Sequence, residues 1–265
     1  MKAAAGKRAM NPLTRVVTTV LAKRPTRPVV FAAVLASCVT STAIVQIAVF
    51  KHLDRLDERL SAIDAALMAQ RKAASGKRIS IDTVPFMGNP AARAIVIQYT
   101  DFDCPFCLSF AKDTLPEFIR TYVDSGRVRF ALRHLPLEKI HPHAARAAAA
   151  AECGGRQGKF WEMHNALFDK PSARDLRDLL HLGKAIGLNA EVFGTCLKGE
   201  AAARINADVE SARELRIKGT PTFVFGESES DGIVRVTRVQ SGVPRIATLR
   251  SIVDDLLRGV APPPE

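Results

Sequence analysis

The chain has 265 residues, of which 47% are apolar and 25% are charged. These proportions are ordinary for a globular protein, and at roughly 150 residues per domain the length predicts one or two domains. They exclude a wholly disordered chain, a collagen-like chain and a polytopic membrane protein. Five cysteines are too few for a small disulfide-stapled scaffold.

The excess of basic residues is concentrated at the N-terminus. The formal net charge is +11, from 38 Lys and Arg against 27 Asp and Glu. Residues 1–28 hold seven of the basic residues and no acidic one, which leaves 31 basic and 27 acidic residues, a surplus of +4. A nucleic-acid-binding domain clusters its basic residues on a folded surface, so the sequence predicts no nucleic-acid partner.

An uncharged apolar segment follows at 29–50. As a helix it would be about 33 Å long, enough to cross a hydrocarbon core of roughly 30 Å. Because basic flanks stay cytoplasmic, residues 1–28 are predicted to be cytoplasmic. The segment favours a retained single-pass signal-anchor in the inner (cytoplasmic) membrane, with the folded domain in the periplasm.

Two other interpretations of this segment stay open. A cleaved signal peptide has a shorter apolar core, of about 7–15 residues. The sequence Leu35-Ala36-Ser37-Cys38 resembles a lipoprotein cleavage site, which would place a lipid on Cys38, although the residues after it stay apolar through Phe50.

Residues 51–77 are predicted to form an amphipathic stalk and linker. Apolar residues at 53, 56, 60, 63 and 67 follow the a/d spacing of about two heptads. Because a coiled coil usually needs three or four heptads, a juxtamembrane helix and a stalk that forms a homodimer through 53–67 are both open. The sequence at 73–77 reads as a linker, and the folded domain is expected to begin near residue 78.

The rest of the chain predicts an α/β fold with an inserted helical domain. Residues 78–140 and 218–259 form the α/β domain, 141–217 form the helical insert, and 260–265, with three prolines, form a disordered tail. β-branched and alternating runs predict strands, and 3.6-residue spacing predicts a last helix. The strands are predicted at 94–99, 128–132, 222–225 and 232–240, and the last helix at 246–257.

The most informative residues are Cys104 and Cys107, at the junction of the first of these strands with a helix. Unpaired N–H groups and the dipole at a helix N-terminus favour a thiolate on the first sulfur. Attack by Cys104 on a substrate disulfide gives a mixed disulfide, which Cys107 can resolve, and the reverse reaction delivers a disulfide to a substrate dithiol. Pro116 predicts a kink in the helix.

Two structural roles are alternatives to redox chemistry for this pair. A zinc site needs four ligands, commonly a second close pair, and the other cysteines of the folded part, Cys153 and Cys196, are isolated in sequence. A purely structural disulfide would be unusual in so tight a loop. The sequence therefore predicts no metal site and favours thiol–disulfide exchange.

A second candidate element is Gly219-Thr220-Pro221-Thr222. Before a strand that follows the helical insert, Pro221 becomes a candidate cis-proline, since a cis bond costs little before proline. The Thr220 backbone could then be left free to pair with an extended substrate strand.

These stretches, taken together, resemble the DsbA-like branch of the thioredoxin superfamily over roughly residues 78–259. The resemblance rests on the following stretches, in the family's order: Gly88-Asn89-Pro90, Tyr99 to Cys107, Arg133 to Leu137, Gln157 to Trp161, and Gly219 to Thr222.

The resemblance implies a thioredoxin fold with a helical insert and exchange of disulfides with extracytoplasmic protein cysteines. It implies Cys104 as nucleophile, Cys107 as resolving thiol and Pro221 as the cis-proline that faces them. Thr220, Pro105 and Phe106 are then the expected substrate-binding residues. No cofactor is implied beyond the redox-active pair itself, and a membrane redox partner would restore the active form.

The sequence departs from the family pattern at two positions. Gln98 stands where members often carry a buried acidic residue beneath the active site. Phe106 stands where strongly oxidising members have a histidine, and it offers neither a hydrogen bond nor a positive charge to a thiolate. We therefore expect a pKa of Cys104 above the roughly 3.5 of DsbA and a less oxidising potential.

In some relatives, cysteines at places similar to Cys153 and Cys196 form a second disulfide, and an oxidising compartment favours that pairing; two buried free thiols are the alternative. The sequence thus predicts a membrane-anchored dithiol oxidase. A disulfide isomerase or reductase of the same fold, and a substrate-binding or chaperone module with incidental redox activity, remain open.

Overall fold

The computed structural model describes residues 45–65, 68, 74–229 and 232–259. The chain divides into two compact units, the first ending at Ile63 and the second beginning at Asp64. Most of the predicted membrane segment (29–50), the predicted tail (260–265) and Cys38 lie outside the described residues.

The second unit is built on a six-stranded mixed sheet with the order β1-β6-β5-β3-β4-β2. Strand β3 pairs in parallel with β4, and the other pairs are antiparallel. The strands are β1 (Arg78–Ser80), β2 (Phe86–Met87), β3 (Ala94–Thr100), β4 (Val128–His134), β5 (Thr222–Ser228) and β6 (Ile233–Ser241).

Strand β3 is buried along its whole length because both faces of the sheet are covered. Ile95, Ile97 and Tyr99 contribute to the core on one face, and Ala94 and Val96 to the core on the other. The sequence of β3 is therefore almost continuously apolar, which is why the strand could be predicted from its composition.

Helix α1 (105–123) connects β3 to β4, with Cys104 as the residue before its first turn and Cys107 within that turn. Its α-helical turns, Pro105–Ser109 and Leu115–Phe118, alternate with wider π-helical turns. The N–H of Leu115 donates to the carbonyl of Phe110, five residues back. The π-helical turn lies directly before Pro116, whose missing N–H would interrupt an α-helical ladder, and this irregularity stands where the sequence predicts a kink.

The segment between β4 and β5 is helical, as predicted for 141–217. Its helices pack around a separate apolar core that also receives Cys104 and Cys107. The helices are α2 (Ala144–Gly155), α3 (Phe160–Asp169), α4 (Leu176–Ala185), α5 (Ala190–Cys196) and α6 (Ala202–Glu214), and helix α7 (Ile246–Arg258) follows β6.

Two short segments differ from the sequence prediction. Residues 74–77, predicted as a free linker, are attached to the edge of the sheet: Ala74 is buried, Gly76 N–H donates to Val236, and Val236 N–H donates to Lys77. Strand β2 is too short for a sequence pattern and forms by pairing with β4.

The first unit is described from residue 45 onward, and its residues 45–63 are helical. Leu53, Leu56, Leu60 and Ile63 are all exposed, and Leu67 lies outside the described residues. Among the residues that the structure describes, no helix is both long enough and apolar enough to span a bilayer.

Candidate active site

Cys104 and Cys107 lie where β3 ends and α1 begins. Cys104 is the N-cap residue, with an extended backbone, and Pro105 occupies the first helical turn. Proline suits this position because its N–H would have no partner there. The first sulfur is thereby held at the positive end of the helix, and both cysteines are buried free thiols.

The surroundings of Cys104 stabilise its thiolate. A hydrogen bond from the Cys107 thiol lowers the pKa of Cys104 most, and hydrogen bonds from the backbone N–H groups of Cys107 and Phe106 lower it further. These outweigh burial and bring the pKa to about 5.

The pKa of Cys107 is shifted in the opposite direction, upward. Burial raises the pKa of its thiol most, and its hydrogen bond to Cys104 raises it further, while Thr100 and the backbone of Asp101 lower it. Near neutral pH the pair is therefore one thiolate and one thiol. The sulfur nearer the surface carries the negative charge, and the deeper sulfur donates a hydrogen bond to it.

The predicted Gly219 to Thr222 loop lies beside the cysteine pair because two paired strands bring them together. Strand β5 pairs with β3 so that Thr222 lies opposite Tyr99, which brings the preceding loop beside Cys104. The Thr220–Pro221 peptide bond is cis, and the Sγ of Cys104 lies 3.4 Å from the carbonyl oxygen of Thr220. Two stretches 116 residues apart in sequence thus form one site.

Phe106 and Pro105, the two residues between the cysteines, are both exposed, and Phe106 has the larger side chain. Its side chain is 65% accessible to solvent, whereas the two flanking sulfurs are buried. An exposed aromatic ring beside a reactive sulfur offers apolar contact area to an incoming polypeptide.

Asp101 was not singled out from the sequence, although it organises the loop before Cys104. Its carboxylate accepts hydrogen bonds from the backbone N–H groups of Asp103, at 2.8 Å, and Leu137, at 2.9 Å, and lies 2.9 Å from Nδ1 of His141. Its side chain therefore links this loop to the loop that follows β4. The only sequence signal was an Asp directly after a buried strand.

Arg174 was also missed. This buried residue, from the loop between α3 and α4, donates to the Phe102 carbonyl at 2.9 Å and forms an ion pair with Asp103. It also donates to carbonyl groups of its own neighbourhood, including that of Lys170. The helical insert thereby fixes the two residues that precede Cys104.

The remaining two cysteines of the folded part form a disulfide. Cys153 near the end of α2 is bonded to Cys196 at the end of α5, with Cα atoms 5.7 Å apart. The bond lies inside the insert and closes a separation of 43 residues.

His134, Glu152 and Asp208 form a cluster between β4, α2 and α6. Their ligand atoms lie within 4.8 Å of one another, a spacing that a metal ion could bridge. However, Arg133 and Arg204 donate to Asp208 at 2.7 and 2.8 Å, and His134 Nε2 lies 2.9 Å from Glu152. Two guanidinium charges disfavour a cation there, and the cluster acts as an ionic network that attaches the insert to the sheet.

Comparison with known proteins agrees with this fold. Residues 80–243 match the family model described as "Thioredoxin". The chain therefore belongs to the thioredoxin family.

Solved structures with a similar fold indicate the branch of the family to which the chain is related. DsbA2 of Pseudomonas aeruginosa aligns with 64% of this chain and 92% of its own, at 26% identity and a TM-score of 0.51. A thioredoxin-like oxidoreductase of Silicibacter pomeroyi covers 67% and 94%, at 26% identity and a TM-score of 0.53. BdbD of Bacillus subtilis, at 22% identity, a TM-score of 0.58 and coverage of 70% and 99%, shares the fold. The chain is a DsbA-like member of the thioredoxin superfamily.

The curated relatives with similar sequences are named as antiporters. A Na(+)/H(+) antiporter NhaA 3 of Salinispora tropica is 35% identical over 157 residues, which are 59% of this chain and 24% of that protein. The chain thus spans about a quarter of the length of the curated relatives that it matches, and the antiporter name belongs to those longer proteins.

Proposed function

We propose that this protein is a membrane-anchored dithiol oxidase that introduces disulfides into extracytoplasmic proteins through the Cys104–Cys107 pair. The proposal rests on one observation above the others. The thiolate-favouring sulfur of Cys104 lies at a helix N-terminus, 3.4 Å from the carbonyl oxygen of Thr220 beside the cis peptide bond.

In the proposed reaction, a substrate thiolate attacks Cys104 of the oxidised pair. The Cys104–Cys107 bond breaks, Cys107 leaves as a thiolate and takes up a proton, and a mixed disulfide joins Cys104 to the substrate. A second substrate thiolate then attacks the substrate sulfur of that bond, which forms the substrate disulfide and leaves Cys104 as a thiolate. The two electrons end on the pair, so the sulfurs carry them without another cofactor.

The substrate would be held in extended form beside Pro221. In the described part of the chain, the backbone N–H of Thr220 has no hydrogen-bond acceptor, so it is available to a substrate strand. Pro105 and the exposed ring of Phe106 would contact the substrate on the other side of Cys104. Pairing through the main chain suits clients of varied sequence.

Trapping tests the proposed nucleophile. A Cys107→Ser variant, which has no resolving thiol, should accumulate mixed disulfides with protein substrates that contain disulfides, visible as adducts that a reductant dissolves. Cys104→Ser is the matched control and should form none. Adducts through Cys107 in Cys104→Ser, or none in either variant, would contradict the assignment and favour a binding module.

The reduction potential tests the proposed direction. A couple near the roughly −120 mV of DsbA supports the oxidase, and one near the roughly −270 mV of thioredoxin supports a reductase. Phe106 between the cysteines predicts a value less oxidising than that of DsbA. A membrane redox partner would restore the active form of the cysteine pair. If the reduction potential lies in the oxidase range, that partner would be an electron acceptor.

Membrane anchoring through 29–50 belongs to the same proposal. The basic residues before the segment and its length support an inner-membrane location with the catalytic domain in the periplasm. The full chain should remain in the membrane fraction after an alkaline wash, and Cys38→Ser should remain there equally. Release of Cys38→Ser alone would instead identify a lipid anchor on Cys38.

We further propose that the helix over 45–65 pairs with that of a second copy through 53–67. Leu53, Leu56 and Leu60 support this, because these apolar side chains of the a/d face are exposed in the described helix and could pack against the same face of a second copy. Leu56→Glu/Leu60→Glu should shift the full chain from dimer to monomer in sedimentation. The matched control Ser61→Glu/Ala62→Glu changes other positions of the heptad and should leave it dimeric.

A further inference from the structure

The chain turns between the end of β3 and the start of α1, and Asp101 closes this turn in two ways. Its backbone carbonyl accepts the N–H of Cys104 at 3.2 Å, and its carboxylate accepts the N–H of Asp103 at 2.8 Å. A side chain that bonds to the backbone two residues further on forms an Asx-turn. The active-site turn, residues 101–104, therefore depends on Asp101 for the position from which Cys104 caps the helix.

The Asp101 carboxylate is a buried charge, with its side chain 0% exposed. It accepts a second backbone N–H, that of Leu137, at 2.9 Å. It also lies 2.9 Å from Nδ1 of His141, in the loop between β4 and α2. Such partners are needed because removing a charge from water is costly, and His141 is the basic side chain among them.

The contact with Asp101 defines where the imidazole proton of His141 lies. An ionised carboxylate only accepts hydrogen bonds, whereas each ring nitrogen of histidine is either a donor or an acceptor. Nδ1 is therefore the donor. The backbone of His141 is fixed as well, since its N–H donates to the Leu137 carbonyl and its carbonyl accepts from Ala144. The donor is thus held in place from a loop that is far from the active-site turn in sequence.

The other acidic residue of the turn has a comparable partner. Asp103 forms an ion pair with the buried Arg174. Each carboxylate of the turn is therefore matched by a basic side chain from another segment of the chain. This matching matters for Cys104, which lies in the same turn and carries a negative charge when the cysteine pair is reduced.

We propose that His141 is a positioning residue for Cys104, because its Nδ1–H holds and compensates the buried Asp101 carboxylate that closes the active-site turn. This role rests on the proposed function, in which Cys104 alternates between a disulfide and a thiolate. His141 acts through Asp101 and does not need to touch the reacting sulfur.

The effect of this compensation differs between the two redox states. In the oxidised pair Cys104 is neutral. When two electrons break the disulfide, Cys104 becomes a thiolate and Cys107 takes up a proton. The charges of Asp101 and Cys104 then share one turn, in an interior where like charges repel more strongly than in water. A donor to Asp101 lowers this repulsion, so His141 stabilises the reduced form more than the oxidised form and makes the couple more oxidising.

The experiment measures the equilibrium of the Cys104–Cys107 pair with glutathione in the full chain at neutral pH. After alkylation, the mass of the peptide that holds both cysteines gives the reduced fraction. His141→Leu removes the donor and should favour the disulfide form on the order of 5-fold, the lower end of typical coupling between two sites. For a two-electron couple this is about 20 mV toward a less oxidising potential.

Two variants separate the hydrogen bond from other effects of the substitution. His141→Asn places an amide nitrogen at the position of Nδ1, the same number of bonds from the backbone, and should keep the wild-type equilibrium constant. His143→Leu is the matched control. His143 is exposed, and its side chain does not cap α2, so its removal should not change the constant.

A purely structural role for His141 would give a different pattern. The reduction potential reports the difference in free energy between the reduced and oxidised proteins, so a loss of stability common to both states cancels. Chemical denaturation of the oxidised protein measures that common loss separately. In an Asp101→Asn background, His141→Leu should leave the equilibrium constant nearly unchanged, because the charge it compensates is absent and residues in contact are not additive.

A wild-type constant in His141→Leu, an equal shift in His143→Leu, or a failure of His141→Asn to keep the constant would overturn the proposal. A full effect of His141→Leu in the Asp101→Asn background would do the same, and if that background does not fold, the single variants still decide. Failure of the proposed function would appear differently, as a wild-type pair that does not exchange with glutathione or as Cys107→Ser forming no adducts with protein substrates.

Discussion

The molecule contains two cysteine pairs in contrasting settings. Cys104 and Cys107 lie three positions apart at the start of α1 as free thiols, and Cys153 and Cys196 are bonded across the helical insert. All four residues are buried and share one apolar core. Burial therefore does not distinguish a reactive pair from a structural one.

The difference lies in the polar groups that surround each pair. Cys104 receives hydrogen bonds from Cys107 and from backbone N–H groups at a helix start, which hold the pKa of its thiol at about 5. Cys153 and Cys196 lie at the C-terminal ends of their helices, where the dipole disfavours a thiolate. The two pairs thus differ in the hydrogen-bond donors around each sulfur and in the end of the helix at which each cysteine lies.

Removing the second pair should give the largest change in stability. Because the bond closes a separation of 43 residues, Cys153→Ala/Cys196→Ala should lower the free energy of unfolding by about 4 kcal/mol in the chain-entropy account. Chemical denaturation measures this loss. The rate at which Cys104 reacts with an alkylating agent should stay the same at each pH, and a lost or shifted reactivity would show that the two pairs are coupled.

Arg174 connects the two regions, so its removal should have the next largest effect. Arg174→Ala leaves Asp103 without its buried partner and the Phe102 carbonyl without its donor. We expect a loss of about 3 kcal/mol in the free energy of unfolding, as for other broken buried ion pairs. Arg177→Ala, at an exposed position of α4, is the control and should change stability little. Equal stability in the two variants would contradict the role given to Arg174.

A smaller change should follow from making the reactive loop more polar. Phe106→His adds a hydrogen-bond donor next to Cys104 and should lower the pKa of Cys104 by about one unit or less, a free energy on the order of 1 kcal/mol. The reduction potential should become more oxidising. Phe106→Leu, which keeps an apolar side chain, should leave both quantities near wild type, and an equal shift in the two variants would exclude the polar explanation.

The sequence predicted the reactive region better than the insert. The Cys104 to Cys107 motif follows a continuous β-branched strand, so local pattern and chemistry indicate the same place. The α/β fold, the family and the helical nature of 141–217 could likewise be predicted, because periodicity and short motifs depend on neighbours along the chain.

The contacts that complete the site could not be predicted in this way. Asp101 and Arg174 act through partners brought together by the fold, and an isolated Asp or Arg has no distinguishing pattern. Strand β2 and the attachment of residues 74–77 depend on pairing with strands far away in sequence. Gln98 was noticed as a departure from the family, but its hydrogen bond to Thr100 needed the geometry of β3.

The most direct test of the central claim is a titration of thiolate absorbance in the reduced protein, with Cys104→Ser as the reference. A folded-state pKa below the unfolded value means that the Cys104 thiolate stabilises the reduced fold at high pH and that this stabilisation is lost as the pH falls through about 5. Wild type should show one ionisation near pH 5 that Cys104→Ser lacks. An ionisation near the ordinary value of 9.0 would contradict the account.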